Sequence, residues 1–160
     1  MTQKAKFVIG DVHGFPDELE ELIQWGRDQG IAYGDIWILG DLVDRGPDSG
    51  KVVRMCREMG VNSILGNHEN SILNRFDRMQ KGQAERHPNP DKDKTMSQLT
   101  REDVEWLSKL PPIHVFDDIQ LVIAHGGLWP KLPFHLQQRN VIRAQMIQPD
   151  NPGPSRWWGP

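Results

Sequence analysis

The chain contains a single cysteine, Cys56, among its 160 residues. One cysteine excludes an internal disulfide framework and a cluster of thiolate metal ligands, and it is typical of a reducing compartment. No apolar run is long enough to span a bilayer, and the first residues do not have the pattern of a secretory leader. We therefore expect a soluble, cytoplasmic protein with no membrane partner.

The sequence has no strong excess of either charge. Lys and Arg total 19, Asp and Glu total 22, and the net charge is -3. This balance offers no general positive field that would hold DNA or RNA. Hydrophobic residues make up 37% of the chain, so 160 residues predict one domain with a sizeable buried core. The sequence leaves the oligomeric state open.

Short aliphatic runs alternate with helical patterns, as is typical of α/β proteins. Strands are predicted at the apolar runs 7–9, 36–39, 63–65 and 119–124. Helical spacing after the first two runs predicts helices that end at Gly30 and Gly60, because glycine adopts the backbone angles that terminate a helix. A third helix is predicted over residues 69–80.

The remaining segments have weaker signals. Thr100 and Asp103 resemble a capping box and predict the start of another helix. Residues 81–94 have no periodicity and contain two prolines, which predicts a loop or lid. The last fifth of the chain is rich in proline, so we expect loops around one short helix at residues 141–147.

Each predicted strand is followed directly by side chains that can bind metal or carry a proton. The segments are Gly10-Asp11-Val12-His13-Gly14, Gly40-Asp41, Gly66-Asn67-His68-Glu69 and Ala124-His125-Gly126-Gly127. Because ligands in open α/β sheets gather beyond the carboxyl ends of strands, we expect these segments to meet at one edge. Carboxylate, imidazole and amide donors without thiolates favour a divalent ion, with manganese preferred and iron, zinc, nickel or cobalt as alternatives.

These segments contain five candidate metal ligands. They are Asp11, His13, Asp41, Asn67 and His125. Five ligands exceed what one open site needs, and a carboxylate can bridge two ions, so Asp41 is predicted to be the bridge. Two ions roughly 3.5–4 Å apart would clamp a phosphorus centre and lower the pKa of a bound water towards about 7. The predicted nucleophile is therefore a hydroxide held by both ions.

Three neighbouring residues are predicted to act on the substrate. His68 is the candidate general acid, since imidazole can donate a proton to a leaving group near neutral pH. Asp44 is predicted to orient the His68 ring. Arg45 is predicted to bind phosphoryl oxygens through its guanidinium. Glu69 is interpreted as a carboxylate at a helix start rather than as a catalytic acid.

Four segments occur in a fixed order between residue 7 and about residue 130: Gly10-Asp11-Val12-His13-Gly14, Gly40-Asp41-Leu42-Val43-Asp44-Arg45-Gly46, Gly66-Asn67-His68-Glu69 and His125-Gly126-Gly127-Leu128. Together they resemble the signatures of the phosphoprotein phosphatase branch of the calcineurin-like metallophosphoesterases. The resemblance implies an α/β fold with central mixed β-sheets, a β-sandwich, flanked by α-helices. It also implies that Asp11, His13 and Asp41 hold one ion, and that Asp41, Asn67 and His125 hold the other.

The chain departs from this family pattern in its last part. The family has a further metal-binding histidine, often in a Gly-His-Thr segment, and this chain contains no such segment. His135 follows His125, but its neighbours do not match the pattern. We therefore expect one metallophosphoesterase domain over residues 1–160 that lacks its C-terminal portion. The resemblance also implies a second phosphate-binding arginine, for which Arg143 and Arg156 are the candidates.

The leading functional prediction is a metal-dependent phosphoesterase that hydrolyses phosphomonoesters, with a phosphoseryl or phosphothreonyl protein as substrate and no covalent intermediate. A symmetrical diadenosine tetraphosphate hydrolase, which acts on a small phosphoester, is the alternative, because related enzymes share the same four signatures. A noncatalytic metal- or phosphate-binding fragment is the rival from another class. It is motivated by the absent late histidine.

Overall fold

The computed structural model describes residues 5–83 and 90–128. Strands and helices alternate along this part of the chain, which confirms the predicted α/β class. The elements are β1 (Phe7–Ile9), α1 (Pro16–Asp28), β2 (Ile36–Ile38), α2 (Ser49–Met59), β3 (Asn62–Ser63), α3 (Asn67–Gln80), α4 (Pro90–Gln98), α5 (Arg101–Ser108), β4 (Ile113–Phe116) and β5 (Leu121–Ala124).

The strands form two small sheets. β1, β2 and β3 are parallel and adjacent in that order, with Phe7 opposite Ile36. β4 and β5 form an antiparallel pair in which Ile113 lies opposite Ala124. The two sheets contact each other through a small apolar cluster. It consists of Trp37, Ile64, Phe116 and Ile123. The parallel connections run through α1 and α2, so the carboxyl ends of β1, β2 and β3 all face the same edge.

The main core lies between the parallel sheet and the helices. Its buried members are Ile9, Val12, Leu19, Ile23, Ile36, Ile38, Leu42, Val43, Val52, Val53, Met55, Cys56, Val61, Ile72 and Leu107. In α1, Leu19 and Ile23 are four residues apart and therefore lie on the same buried face. Cys56 is fully buried in this core, and burial raises the pKa of its thiol to about 12. Cys56 therefore packs in the core.

Neighbouring residues set the ends of several helices. The Asp48 side chain accepts a hydrogen bond from Lys51 N at 2.7 Å at the start of α2. Gly60 ends α2 in the left-handed region, with φ 73°. Thr100 and Asp103 form the predicted capping box of α5, since each side chain accepts a hydrogen bond from the other's backbone N–H.

Two predicted elements need correction. Residues 90–94 do not form a loop, because α4 begins at Pro90. The residues that α4 buries are Lys92 and Thr95, so the sequence shows no apolar periodicity that would predict this helix. The strand predicted at 63–65 pairs only at Asn62–Ser63, and α3 begins at Asn67, two residues earlier than predicted. Residues 84–89 and 129–160 lie outside the described part, and with them His135, Arg143, Arg156 and the helix predicted at 141–147.

Within residues 5–83 and 90–128, no helix is both long enough and apolar enough to cross a membrane.

Candidate metal centre

The loops after β1, β2 and β5 meet the first turn of α3 around Asp41. The backbone carbonyl of Asp41 accepts hydrogen bonds from Val12 N at 3.0 Å and His13 N at 2.8 Å, which ties the loops after β1 and β2 together. The Asp41 carboxylate accepts a hydrogen bond from His68 N at 3.1 Å and lies 3.2 Å from His125 Nε2. Asp41 therefore contacts residues from all the other signature segments.

His13 points an unused nitrogen towards two carboxylates. Its Nδ1 lies 3.1 Å from the carbonyl oxygen of Val43, and because a carbonyl can only accept, Nδ1 carries the proton. The opposite nitrogen, Nε2, is buried and has no hydrogen-bond partner. It lies 3.7 Å from Asp11 Oδ2 and 3.7 Å from Asp41 Oδ2. A buried lone pair between two carboxylates fits a divalent cation.

A second group of acceptor atoms lies on the other side of Asp41. His125 Nδ1 donates to the Leu39 carbonyl at 2.6 Å, so His125 Nε2 faces Asn67 Oδ1 at 3.0 Å and Asp41 Oδ2 at 3.2 Å. Three acceptors this close repel one another unless a proton or a metal ion lies among them. Burial lowers the pKa of His125, but the hydrogen bond to Asp41 and its charge outweigh burial and raise that pKa overall. Asp41 shows the matching change, with its pKa lowered by His125 and His68 against the opposing effect of burial.

The candidate ligands differ in their access to solvent. The side chains of Asp41, His125 and His13 are 5%, 8% and 10% exposed, whereas that of Asp11 is 51% exposed. Asp11 therefore lies at the mouth of the site. Ligand atoms of His13, Asp41 and His68 lie within 4.8 Å of one another. His68 thus reaches the ligand cluster, although the sequence assigns it the role of proton donor.

His68 and Asp44, which together we call the acid pair, contact each other directly. His68 Nδ1 donates to Asp44 Oδ2 at 2.6 Å. Burial raises the pKa of Asp44, but hydrogen bonds from His68, Lys92 and Thr95 lower it to about 2. The Asp44 carboxylate is therefore charged, the proton of the pair is on the imidazole, and His68 Nε2 faces Asp41 Oδ2 at 3.9 Å. Arg45, the next residue, has an exposed side chain.

Four site residues have left-handed backbone angles, which are unfavourable for any residue with a Cβ atom. They are His13 (φ 49°), Asp41 (φ 52°), Asp44 (φ 72°) and Arg45 (φ 68°). Within the described residues only one other non-glycine residue, Gln120, has a positive φ. The strain is therefore concentrated in the loops after β1 and β2, which carry His13, Asp41, Asp44 and Arg45.

Sequence reasoning underestimated Glu69. It does lie in the first turn of α3, as interpreted, where Oε2 accepts from Gly66 N at 2.9 Å. The same side chain also accepts hydrogen bonds from the backbone N–H groups of Asp41 at 2.8 Å, Leu42 at 2.8 Å and Val43 at 3.1 Å. One fully buried carboxylate thus joins the start of α3 to the loop after β2. No local pattern indicates contacts of this kind between distant segments.

Sequence reasoning missed Lys92 and Thr95 completely. Both belong to α4 and both bind the Asp44 carboxylate, Thr95 Oγ1 at 2.6 Å from Oδ1 and Lys92 through an ion pair to Oδ2. The signal that could have found them is weak: a lysine and a threonine three residues apart lie on one helix face. The loop predicted over residues 81–94 includes Lys92, so the sequence analysis does not place Lys92 and Thr95 on one helix.

Comparisons with known proteins agree with this geometry. The family model for calcineurin-like phosphoesterases matches residues 7–160. Symmetrical bis(5'-nucleosyl)-tetraphosphatases of Hamiltonella defensa and Cronobacter sakazakii are 35% and 36% identical to this chain, each over 79% of it and over 46% and 44% of their own length. The chain thus spans less than half the length of these curated relatives.

Two solved structures share the fold. A crystal structure of a candidate diadenosine tetraphosphatase matches with a TM-score of 0.68 and 29% identity, covering 84% of this chain and 56% of the other. A metallophosphoesterase from Sphaerobacter thermophilus matches with a TM-score of 0.51 and 27% identity, covering 68% of this chain and 42% of the other. These matches confirm the fold that the four signature segments imply. The chain belongs to the calcineurin-like phosphoesterase family.

Proposed function

We propose that this chain hydrolyses dinucleoside tetraphosphates symmetrically, with two divalent metal ions as cofactors. The observation that supports the metal-dependent chemistry is Asp41, whose carboxylate lies 3.7 Å from His13 Nε2 and 3.2 Å from His125 Nε2. The relatives named symmetrical bis(5'-nucleosyl)-tetraphosphatase support a dinucleoside tetraphosphate as the substrate, and they favour it over the leading prediction of a phosphoprotein substrate.

The ligand assignment follows from which nitrogen each histidine presents. His13 and His125 each donate Nδ1–H to a backbone carbonyl, so each turns Nε2 towards Asp41. Asp11, His13 and Asp41 would hold one ion, and Asp41, Asn67 and His125 would hold the other. Ions held in this way would polarise the phosphoryl oxygens and lower the pKa of water at the phosphorus centre.

The residues around the ligands would handle the proton and the charge. Symmetrical cleavage adds water to an inner phosphorus and breaks its bond to the central bridging oxygen, which gives two nucleoside diphosphates. His68 would give its Nε2 proton to that departing oxygen while Asp44 holds Nδ1–H at 2.6 Å. Arg45, exposed beside Asp44, would bind the nonbridging phosphoryl oxygens.

A substrate comparison tests the proposal. With Mn²⁺ added, kcat/KM is measured for diadenosine tetraphosphate and for a phosphoserine peptide, and the nucleotide products are separated by chromatography. We expect a preference of about tenfold or more for the dinucleotide, with ADP as the product. A tenfold preference for the peptide would restore the phosphoprotein prediction. Hydrolysis of neither substrate, with at most one ion bound per chain, would support the noncatalytic binding module.

A variant of the proton donor tests the assigned chemistry. His68→Ala is expected to lower kcat by about 10²–10⁴-fold while metal content by elemental analysis stays unchanged. The matched control is His114→Gln, which removes an imidazole that stacks on Trp37 and lies outside the four signature segments. Unchanged turnover in His68→Ala would contradict the assignment of His68.

A further inference from the structure

Helix α4 places two buried polar side chains against the carboxylate of Asp44, the acidic member of the acid pair. Lys92 and Thr95 are 9% and 2% exposed. Thr95 Oγ1 donates to Asp44 Oδ1 at 2.6 Å, and Lys92 Nζ forms an ion pair with Asp44 Oδ2. A buried lysine is costly to desolvate unless it is paired, so its contact with Asp44 is a specific feature of this packing.

The rest of α4 is anchored to the loop that carries Asp44. Lys94 Nζ donates to the Gly46 carbonyl at 3.0 Å, and Gln98 Nε2 donates to the Pro47 carbonyl at 2.8 Å. Gln98 Oε1 also accepts from Ser49 N at 2.9 Å. Together with the contacts of Lys92 and Thr95, they cover residues 92–98 of α4, so most of the helix is held against residues 44–49.

The contacts leave the Asp44 carboxylate only one orientation. Oδ1 is held by Thr95, while Oδ2 accepts from His68 Nδ1 at 2.6 Å and from Lys92. Lys92 Nζ lies 3.4 Å from His68 Nδ1, and since an ammonium group only donates, both nitrogens must donate to the same oxygen. The ring of His68 is thereby held with Nδ1–H towards Asp44 and Nε2 towards the candidate ligands.

We propose that Thr95 and Lys92 are positioning residues for the proton donor: α4 fixes the Asp44 carboxylate, and the carboxylate fixes the His68 ring. The inference rests on the proposed hydrolysis, with His68 as the group that protonates the leaving oxygen. It has a specific consequence. Removing these contacts should impair substrates whose leaving group needs a proton and should spare substrates whose leaving group departs as a stable anion.

Two aryl phosphates and a matched pair of variants test this consequence. Thr95→Val removes the hydroxyl at nearly constant shape, and Thr95→Ser keeps it. On phenyl phosphate, whose phenolate is a poor leaving group, Thr95→Val is expected to lower kcat by about 10–100-fold, with KM within about twofold. On p-nitrophenyl phosphate, whose leaving group is stable without a proton, the loss should stay below about threefold. Thr95→Ser should resemble the wild type on both substrates.

Lys92 provides an independent test of the same contact. Lys92→Met removes the charge and keeps the length of the side chain, whereas Lys92→Arg keeps the charge. We expect Lys92→Met to show the same dependence on the leaving group, and Lys92→Arg to recover part of the activity on phenyl phosphate. An equal loss on both aryl phosphates in Thr95→Val and Lys92→Met would overturn the inference, because a general loss of folded protein affects both substrates alike.

A readout without turnover separates this inference from the proposed function. In chelator-treated protein, the Nδ1 proton of His68 is expected to give a slowly exchanging downfield ¹H NMR signal that His68→Ala removes. Thr95→Val and Lys92→Met should shift or broaden this signal, and Thr95→Ser should retain it. If the wild type hydrolyses no phosphate ester, the proposed function fails, and the NMR signal still decides the positioning role. An unchanged signal in both Thr95→Val and Lys92→Met would overturn the inference.

Discussion

Among single side chains, Glu69 is the most completely enclosed charged group near the candidate metal centre, with 0% of its surface exposed. Burial and the nearby charge of Asp41 raise the pKa of Glu69, while the backbone N–H groups of Val43, Gly66 and Asp41 oppose this rise. A raised pKa in the folded state means that the charged form is less favourable there than in the unfolded chain. The contribution of Glu69 to stability is therefore greatest below its unfolded pKa and falls as the pH rises through its folded pKa.

Replacing Glu69 by glutamine should destabilise the protein, although the substitution removes a buried charge. The amide NH₂ of Glu69→Gln would face backbone N–H groups, two of which would then lose their acceptor. We expect the free energy of unfolding in urea to fall by about 2–4 kcal/mol. The control is Glu105→Gln on α5, where Glu105 is exposed and pairs with Lys109, and little change is expected. A Glu69→Gln protein as stable as the wild type would contradict this account.

Asp44 should contribute to the acid sensitivity of the protein. Its pKa is about 2 in the folded protein, against an ordinary value of 3.8, so its stabilising contribution is present above pH 3.8 and is lost as the pH falls through 2. Between pH 5 and pH 3, Asp44 should account for about 1 kcal/mol of the decrease in unfolding free energy. Urea unfolding of chelator-treated wild type and Asp44→Asn at both pH values measures this. An equal decrease in the two proteins would refute the assignment.

Two connecting segments approach so closely at the site that only glycine fits between them. A Cβ atom on Gly66, which precedes α3, would lie 2.2 Å from Asp41 Oδ1 and 2.3 Å from Asp41 N, in the loop after β2. These distances are far below van der Waals contact, and the Asp41 backbone is already constrained by Glu69. The start of α3 and the loop after β2 therefore have to separate if any side chain is introduced.

We expect Gly66→Ala to cost about 3 kcal/mol of stability and to abolish metal binding, because Asp41 would be displaced. Gly34→Ala is the matched control, since a Cβ atom there would have no neighbour within 4 Å. Urea unfolding and elemental analysis of both variants measure the two effects. Wild-type metal content in Gly66→Ala would show that the close approach is not needed to form the site.

For the molecule as a whole, metal binding should be linked to stability, because the candidate ligands come from four separate segments and meet only in the folded chain. An ion present at about 100 times its Kd should add about 2.7 kcal/mol to the unfolding free energy for each site. Asp41→Asn should lose both ions together and with them the whole increase. Asp118→Asn, an exposed substitution after β4, is the control. If Asp41→Asn retains one ion with unchanged affinity, Asp41 does not bridge.

Much of the framework could be predicted because it depends on neighbouring residues. Gly60 has the left-handed angle that ends α2, and Thr100 and Asp103 cap α5 within a single turn. The signature segments also follow apolar runs, and their order places Asp11, Asp41 and Asn67 beyond the ends of parallel strands. These features involve residues at most a few positions apart, or a topology that short connections impose.

Other features depend on contacts between distant segments, and no local pattern could indicate them. The sequence alone established the α/β class, the signature segments and the residue types that can bind metal. Folding decided that Lys92 and Thr95 reach Asp44 across about fifty positions, that Glu69 holds three successive amides of the loop after β2, and that Asp41 lies between two histidines. The physical reason is that a polar residue has no periodic signature of burial. Its partner, and therefore its role, is known only when packing has removed water from around it.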